Sequence, residues 1–218
     1  MPAHISSTLR RGIVTLCVLT TVGLAACSSA ESAPPKSGEE LTQFLLPAED
    51  LTITGITSDS EVWSDGDLIQ PGMAMLPVVG ETNCAEVIQE GLDTRIQTVG
   101  AASKVFVSDN DQIATGIYSV DDPEAVPVAR LYSDILAYCP DPIVHEGTGM
   151  EYTVDQLTDA GPDVTGMVVE SRSRWGEMTT MVVMHQMVGN HAVVVGSMGF
   201  TEPTVAAVFD AQVERFTE

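Results

Sequence analysis

The final third of the chain carries the feature that most restricts its fold, three strand-like segments separated by two short turns. Residues 164–174, 177–188 and 191–200 are rich in valine, methionine and threonine, a composition that favours β-strands. A Trp-Gly pair at 175–176 and a Gly-Asn pair at 189–190 each fit a two-residue hairpin turn. The pattern predicts a three-stranded antiparallel meander, against which the other elements must pack.

Shorter patterns place helices and further strands around this meander. Strands are predicted at residues 104–108, 112–120 and 150–157, whereas the turn signals of residues 58–80 indicate mostly loop. Helices are predicted within residues 41–57, from about residue 82 to 98, after Asp122, and from Pro203 onwards. We therefore expect a single α+β domain, with packed α-helices on an antiparallel sheet of about 5–6 strands.

The first residues have the pattern of a bacterial lipoprotein export signal. Arg10 and Arg11 precede an uncharged apolar run, and Leu-Ala-Ala-Cys at 24–27 matches a lipobox. The apolar run is shorter than the roughly 20 residues of a membrane-spanning helix. We expect residues 1–26 to be the signal peptide and Cys27 to carry the lipid, including palmitate. The alternative is a plain signal peptide in which Cys27 is incidental.

The segment after Cys27 separates this anchor from the folded domain. Residues 27–40 are small, polar and proline-rich, which predicts a lipidated flexible tether ahead of a domain at 41–218. The anchor places that domain on the outer face of the cytoplasmic membrane, in an oxidising compartment. Cys84 and Cys139 remain as an even pair, and we predict a disulfide between the start of one helix and the end of another. Two buried free thiols are the alternative.

The amino-acid composition indicates which partners are excluded and whether the chain can fold. The formal net charge is −22, so the chain is repelled by nucleic acid, and no nucleic-acid partner is expected. Apolar residues make up 44% of the chain, which is enough for a buried core. The acidic residues are therefore expected to form a charged surface that keeps a folded domain soluble.

Several motifs occur together in a known family. They are the lipobox, a Leu-Leu-Pro-Ala-Glu-Asp-Leu start at 45–51, a cysteine link between two helices, and Asn-x-x-Val-Val-Val at 190–195. The chain resembles the extracytoplasmic sensor domain of actinobacterial serine/threonine kinases of the PknH type, and its stand-alone lipoprotein relatives. The resemblance covers about residues 41–218. It implies an antiparallel sheet with helices and a cleft for a small ligand.

The chain departs from this family in two respects. It has no kinase domain, so the resemblance implies signalling through a partner. The family often carries a second disulfide across the last hairpin, where this chain has no cysteine. Counting from a two-residue turn at 189–190 puts Val188 opposite His191 and Met181 opposite Met198. Two methionines then occupy about the place of that bridge.

Signals for chemistry are scarce. No common hydrolase, metalloprotease or phosphate-loop motif is present, so we expect no enzyme and no cofactor. A cell-envelope hydrolase with two facing carboxylates remains an alternative. A methionine-rich copper-binding protein is another, drawing on Met73, Met75, Met178, Met181, Met184, Met187, His185 and His191.

No metal site is assigned, neither for copper nor for calcium. His185 and His191 are predicted on opposite faces of their hairpin, and methionine is a common core residue. Asp109 and Asp111 have the spacing of a turn, and further calcium ligands at suitable spacing are lacking.

The length of the first turn of the meander determines which side chains share a face, and one such face suggests a ligand site. A two-residue turn at 175–176 puts Met181 opposite Glu170 and Thr179 opposite Arg172, which gathers polar and apolar side chains on one face. Arg172 is the predicted anion contact. The candidate ligand-binding residues are Glu170, Arg172, Met181, His185, Met198, Trp63 and Trp175. A partly solvated sheet face is the alternative.

Together these patterns predict a membrane-anchored extracytoplasmic lipoprotein. Its domain is expected to be sensor-like and non-catalytic, and to bind an unknown small envelope ligand or an envelope protein.

Overall fold

One large antiparallel sheet dominates the computed structural model, which describes residues 33–51, 53–158 and 160–218. The strands are β1 (Ser58–Ser64), β2 (Leu68–Ile69), β3 (Arg95–Ile96), β4 (Gly100–Ser108), β5 (Asp111–Ser119), β6 (Ile143–His145), β7 (Met150–Asp155), β8 (Thr165–Arg172), β9 (Met178–Val188) and β10 (His191–Met198). Eight of them form the sheet in the order β1-β4-β5-β10-β9-β8-β7-β6, and β2 pairs with β3 separately.

Four α-helices accompany the sheet. They are α1 (Gly38–Leu41), α2 (Asn83–Asp93), α3 (Val128–Tyr138) and α4 (Glu202–Thr217), with short 3-10 turns at Thr42–Phe44, Ala48–Asp50, Met73–Met75 and Pro123–Ala125. The helix α2 begins where predicted, because the Thr82 side chain accepts a hydrogen bond from the Ala85 N–H. The predicted α+β class with antiparallel pairing is confirmed.

The sheet is larger than the predicted 5–6 strands. The six predicted strands are present, and the two additional ones, β1 and β6, are the edges of the sheet. The β1 sequence, Ser-Asp-Ser-Glu-Val-Trp-Ser, lacks the alternation of apolar and polar residues that marks a half-buried strand. The helix predicted within residues 41–57 is also wrong, since that region holds the end of α1, two 3-10 turns and extended chain.

The two faces of the sheet pack against different helices. We call one the α2/α3 face, because Tyr118, Met167, Val169, Val183 and Ala192 pack there against Ile88 of α2 and Ile135 of α3. We call the other the α4 face, because Phe106, Ile113, Val182, Val193 and Val195 pack there against Val205, Val208 and Phe209. Each face therefore has its own hydrophobic core.

The disulfide joins the two helices of the α2/α3 face. Cys84 lies in the first turn of α2, Cys139 directly follows α3, and their sulfur atoms are bonded across 55 positions of sequence. The predicted pairing is confirmed, and the alternative of two free thiols is wrong.

The end of the predicted tether is part of the folded domain. The Lys36 N–H donates to the Ser119 hydroxyl at 3.0 Å, and Ser37 caps α1. Gly38 approaches the sheet so closely that an added Cβ would lie 2.5 Å from the Ser64 carbonyl oxygen. The domain thus begins earlier than the predicted residue 41. The signal peptide at 1–26 and the lipid site at Cys27 lie outside the described residues.

Candidate ligand groove

The β8–β9 turn determines which predicted site residues share a face. The Ser173 N–H donates to the Glu177 carbonyl at 2.8 Å, and the Gly176 N–H donates to the Ser173 carbonyl at 2.9 Å. Three residues, 174–176, therefore form the loop, with Gly176 in the left-handed region at φ 86°. The predicted two-residue turn is wrong by one residue.

This single residue moves two residues of the predicted patch, Glu170 and Arg172, to the other side of the sheet. Glu170 pairs with Thr180 and Arg172 with Met178, whereas Val169 is the residue opposite Met181. Because neighbouring side chains point to opposite faces, Glu170 and Arg172 lie on the α4 face, and Met167 and Val169 join the α2/α3 face. The predicted grouping of the patch is therefore wrong.

The β9–β10 register is the predicted one. His191 pairs with Val188, and Met198 pairs with Met181. Met181, His185 and Met198 thus share the α2/α3 face, as the sequence predicted for these three.

The two tryptophans are far apart in the sheet order. Trp175 is at the tip of the β8–β9 turn with 74% of its surface exposed, and the Arg174 guanidinium carbon lies 4.2 Å from the centre of its ring. Trp63 is on the edge strand β1 and is half exposed. Trp63 borders a cavity over the α2/α3 face, although its position opposite Ala102 of β4 puts its side chain on the α4 face.

That cavity is an apolar groove over β1, β4, β5 and β10, with a volume of about 340 Å³. Its floor consists of small side chains on the α2/α3 face. Its wall is the loop around Pro71, which the Tyr132 hydroxyl holds by donating to the Pro71 carbonyl at 2.8 Å. The lining residues are Val62, Trp63, Ser64, Leu68, Pro71, Gly72, Ala101, Ala102, Ser103, Ala114, Thr115, Gly116, Ile117, Tyr118, Val183, Val194 and Gly196.

The groove exists because the floor side chains are too short to fill it. Ser103, Gly116 and Val194 lie side by side on β4, β5 and β10. A Cβ added to Gly116 would lie 3.5 Å from the Ala102 carbonyl oxygen and 3.6 Å from the Ser103 Cβ, in ordinary contact. The space above Gly116 could therefore hold a side chain, but the sequence leaves it open.

One polar pair is buried beside the groove. The Tyr118 hydroxyl lies 2.7 Å from His185 Nε2, and the two rings stack with centroids 5.8 Å apart. Burial lowers the pKa of His185 to about 4 and raises the pKa of Tyr118 above its ordinary value. Both groups are neutral at pH 7, so the groove is bordered by an uncharged hydrogen-bonding pair.

The groove lining carries no charge. None of its lining residues, all of which the structure describes, is a Lys, Arg, Asp or Glu, although the chain as a whole has a net charge of −22. The groove therefore offers van der Waals contact and a few hydroxyl and backbone groups, and it offers no pair of facing carboxylates.

The candidate copper ligands are distributed over different parts of the structure. His185 is on the α2/α3 face and His191 is on the α4 face, as predicted. Met184 is buried on the α4 face, whereas Met73 is buried in the α2/α3 core. Across residues 33–51, 53–158 and 160–218, no three His, Cys, Asp or Glu side chains are grouped so that they could hold a metal ion.

Comparison with solved structures gives several likenesses of fold, including the two that follow. The extracellular domain of PknH from Mycobacterium tuberculosis aligns with a TM-score of 0.49 and 11% identity, covering 85% of this chain and 99% of that one. An uncharacterised protein from Mycobacterium smegmatis aligns with a TM-score of 0.46 and 12% identity, covering 81% and 93%. No family model and no curated protein sequence matches the chain. Likenesses of this size say nothing about what the chain binds.

No helix in the described ranges is both long enough and apolar enough to cross a membrane.

Apart from Trp63, the sequence prediction missed the groove residues, although a signal for them is present. Ala101 and Ser103 are alternate residues on β4, and Ala114 and Gly116 are alternate residues on β5. Small residues at every second position of two paired strands leave a shallow channel on one face of a sheet. Recognising it requires the pairing of β4 with β5, which brings the two small-residue rows together.

Proposed function

We propose that this chain is a lipid-anchored, extracytoplasmic binding protein whose groove takes an uncharged, apolar small molecule. The uncharged groove over Gly116 is the observation that carries the proposal. A ligand with a carboxylate or phosphate would enter it without a cationic partner, which is costly in an apolar surrounding. An apolar ligand gains roughly 25 cal/mol for each Å² removed from water.

The proposed action is binding without catalysis, in a sensor-like role. The Tyr118–His185 pair supplies hydrogen-bonding capacity at the side of the groove, and both groups are buried. A hydrolase would need two carboxylates facing a substrate, and a copper protein would need its sulfur and imidazole ligands together. The groove lining supports neither alternative.

Placing a larger side chain in the groove is expected to weaken binding without unfolding the protein. In Gly116→Val the new side chain occupies the space of about two ligand methylenes, roughly 1.6 kcal/mol, so binding should weaken about tenfold. Stability should be unchanged or higher, because valine is the better strand residue. The probe is an uncharged diacylglycerol with a photoreactive acyl chain, presented to the full chain in phosphatidylcholine vesicles.

Mass spectrometry then maps the labelled residues. In the wild-type chain they should lie on β4, β5 and β10, with labelling there reduced in Gly116→Val. Thr153→Val is the matched control, since it adds a valine to β7, away from the groove. Equal labelling of the groove strands in Gly116→Val and wild type would show that the groove does not hold the ligand.

The anchor is tested separately. The lipobox at residues 24–27 supports lipid attachment at Cys27, on the outer face of the cytoplasmic membrane. Cys27→Ala should give an unlipidated chain that keeps its signal peptide, whereas Cys17→Ala, a matched change in the signal, should be lipidated normally. Intact-mass measurement of membrane-extracted protein decides this. An unmodified Cys27 in the wild-type chain would contradict the anchor.

A further inference from the structure

The edge strand β1 is open over most of its length, with Gly38 of α1 close to the Ser64 carbonyl at one end. Within the described residues it pairs with β4 alone, and residues 59–64 are all exposed. Val62 has 61% of its surface exposed and Trp63 has 50%. An open edge strand presents unpaired backbone N–H and C=O groups, to which another extended chain can add as a further strand.

The side chains of β1 present different chemistry on the two faces of the sheet. The side chains of Asp59, Glu61 and Trp63 lie on the α4 face. Lys104 of β4 is on the same face and forms a 3.0 Å ion pair with Asp59. The side chains of Ser60 and Val62 lie on the α2/α3 face, beside the groove. A strand added to β1 would therefore meet carboxylates and an indole on one side, and small or apolar side chains on the other.

We propose that β1 binds an extended cationic peptide segment by strand addition. A Lys or Arg opposite Glu61 would face that carboxylate directly, with Trp63 on the diagonal and within reach of a long side chain. An aromatic ring at that position attracts the cation as well. The residues between the cations would be small or β-branched, next to Val62. The partner is thus a segment with Lys or Arg at every second position.

Charge selects this partner over a second copy of the chain. Two β1 strands paired antiparallel would bring Asp59 and Glu61 of one copy against those of the other. Like charges directly opposite each other destabilise strand pairs, and the net charge of −22 adds a general repulsion between copies. The same acidic residues that oppose self-pairing favour a cationic strand.

The test uses the full chain in phosphatidylcholine nanodiscs, whose zwitterionic surface has no net charge and so does not attract the cationic probe. The probe is a seven-residue peptide, the length of β1, with lysine alternating with valine and threonine. Trp175→Phe leaves Trp63 as the sole tryptophan, so its fluorescence reports binding. We expect a saturable fluorescence change, weakened about tenfold by Glu61→Lys. Glu177→Lys, the same charge change in the β8–β9 turn, should leave affinity within about twofold of wild type.

Two N-methylated peptides distinguish strand addition from simple charge attraction. In a paired strand the N–H groups of alternate residues point towards the neighbour. Methylating one alternate set should therefore abolish binding, and methylating the other set should be tolerated. Equal affinity for both peptides, an unchanged affinity in Glu61→Lys, or no response of Trp63 would each overturn the proposal. So would concentration-dependent dimers through β1, which would identify a second copy as the occupant. None of these outcomes depends on the groove ligand.

Discussion

Replacing both cysteines of the disulfide, in Cys84→Ser with Cys139→Ser, is expected to lower the free energy of unfolding by about 4 kcal/mol. The bond closes a loop between positions 55 apart, and the chain-entropy estimate for such a loop gives this value. Cys139 is also buried, so a serine there places a hydroxyl in the core of the α2/α3 face. The loss is a large share of the stability of an ordinary domain.

Urea unfolding of the oxidised wild type and of the double variant measures the difference. Reduction with dithiothreitol is the internal control, because it should bring the wild type close to the double variant and leave the double variant unchanged. Equal unfolding midpoints for the oxidised wild type and the double variant would contradict the prediction, as would a reducing-agent effect on a chain that lacks both cysteines.

Acid is expected to destabilise the protein through His185. Burial lowers the pKa of His185 from 6.5 to about 4. Between these two values the unfolded chain binds a proton at this imidazole and the folded chain does not, so lowering the pH favours unfolding. The contribution is absent above pH 6.5 and reaches about 3 kcal/mol at or below pH 4. His191 adds in the same direction, because burial and then the charge of Lys36 lower its pKa.

His185→Gln isolates this contribution. Glutamine keeps a hydrogen-bonding group near the Tyr118 hydroxyl but does not titrate, so the variant should lose less stability than the wild type between about pH 7 and about pH 4. Some pH dependence should remain from His191. His145→Gln is the matched control, since His145 lies at the β6–β7 turn and accepts a hydrogen bond from Thr148. Urea unfolding across this pH range measures the slopes. Identical slopes for His185→Gln and wild type would contradict the role of His185.

Local signals were sufficient for much of the fold. The α+β class, the six inner strands and the β9–β10 register are visible in the sequence, because strand composition and a Gly-Asn turn act over a few residues. The disulfide was also predictable, since few cysteines were available and the compartment was inferred from the export signal. The strand and turn signals act over a few residues, whereas the disulfide joins distant positions and was predictable from the number of cysteines.

Local signals failed where two turn lengths fit the same residues. The segment 174–176 contains a Trp-Gly pair that suits a two-residue turn, but the backbone closes over three residues, with Gly176 left-handed. A strand has a period of two, so the slip of one residue exchanges the faces of β8 and separates Arg172 from His185. The predicted patch failed for this reason.

The sequence by itself determined the class of the fold and the meander, which short stretches encode. It also determined the covalent link between α2 and α3, because few cysteines were available to pair. The tertiary structure alone decided the edge strands, the face on which Glu170 and Arg172 lie, and the groove. Its floor combines Ser103, Gly116 and Val194 from three strands, and its wall is a loop that Tyr132 holds from α3. A cavity is the space that segments distant in sequence leave unfilled between them. It can therefore be recognised only when the pairing of those segments is known.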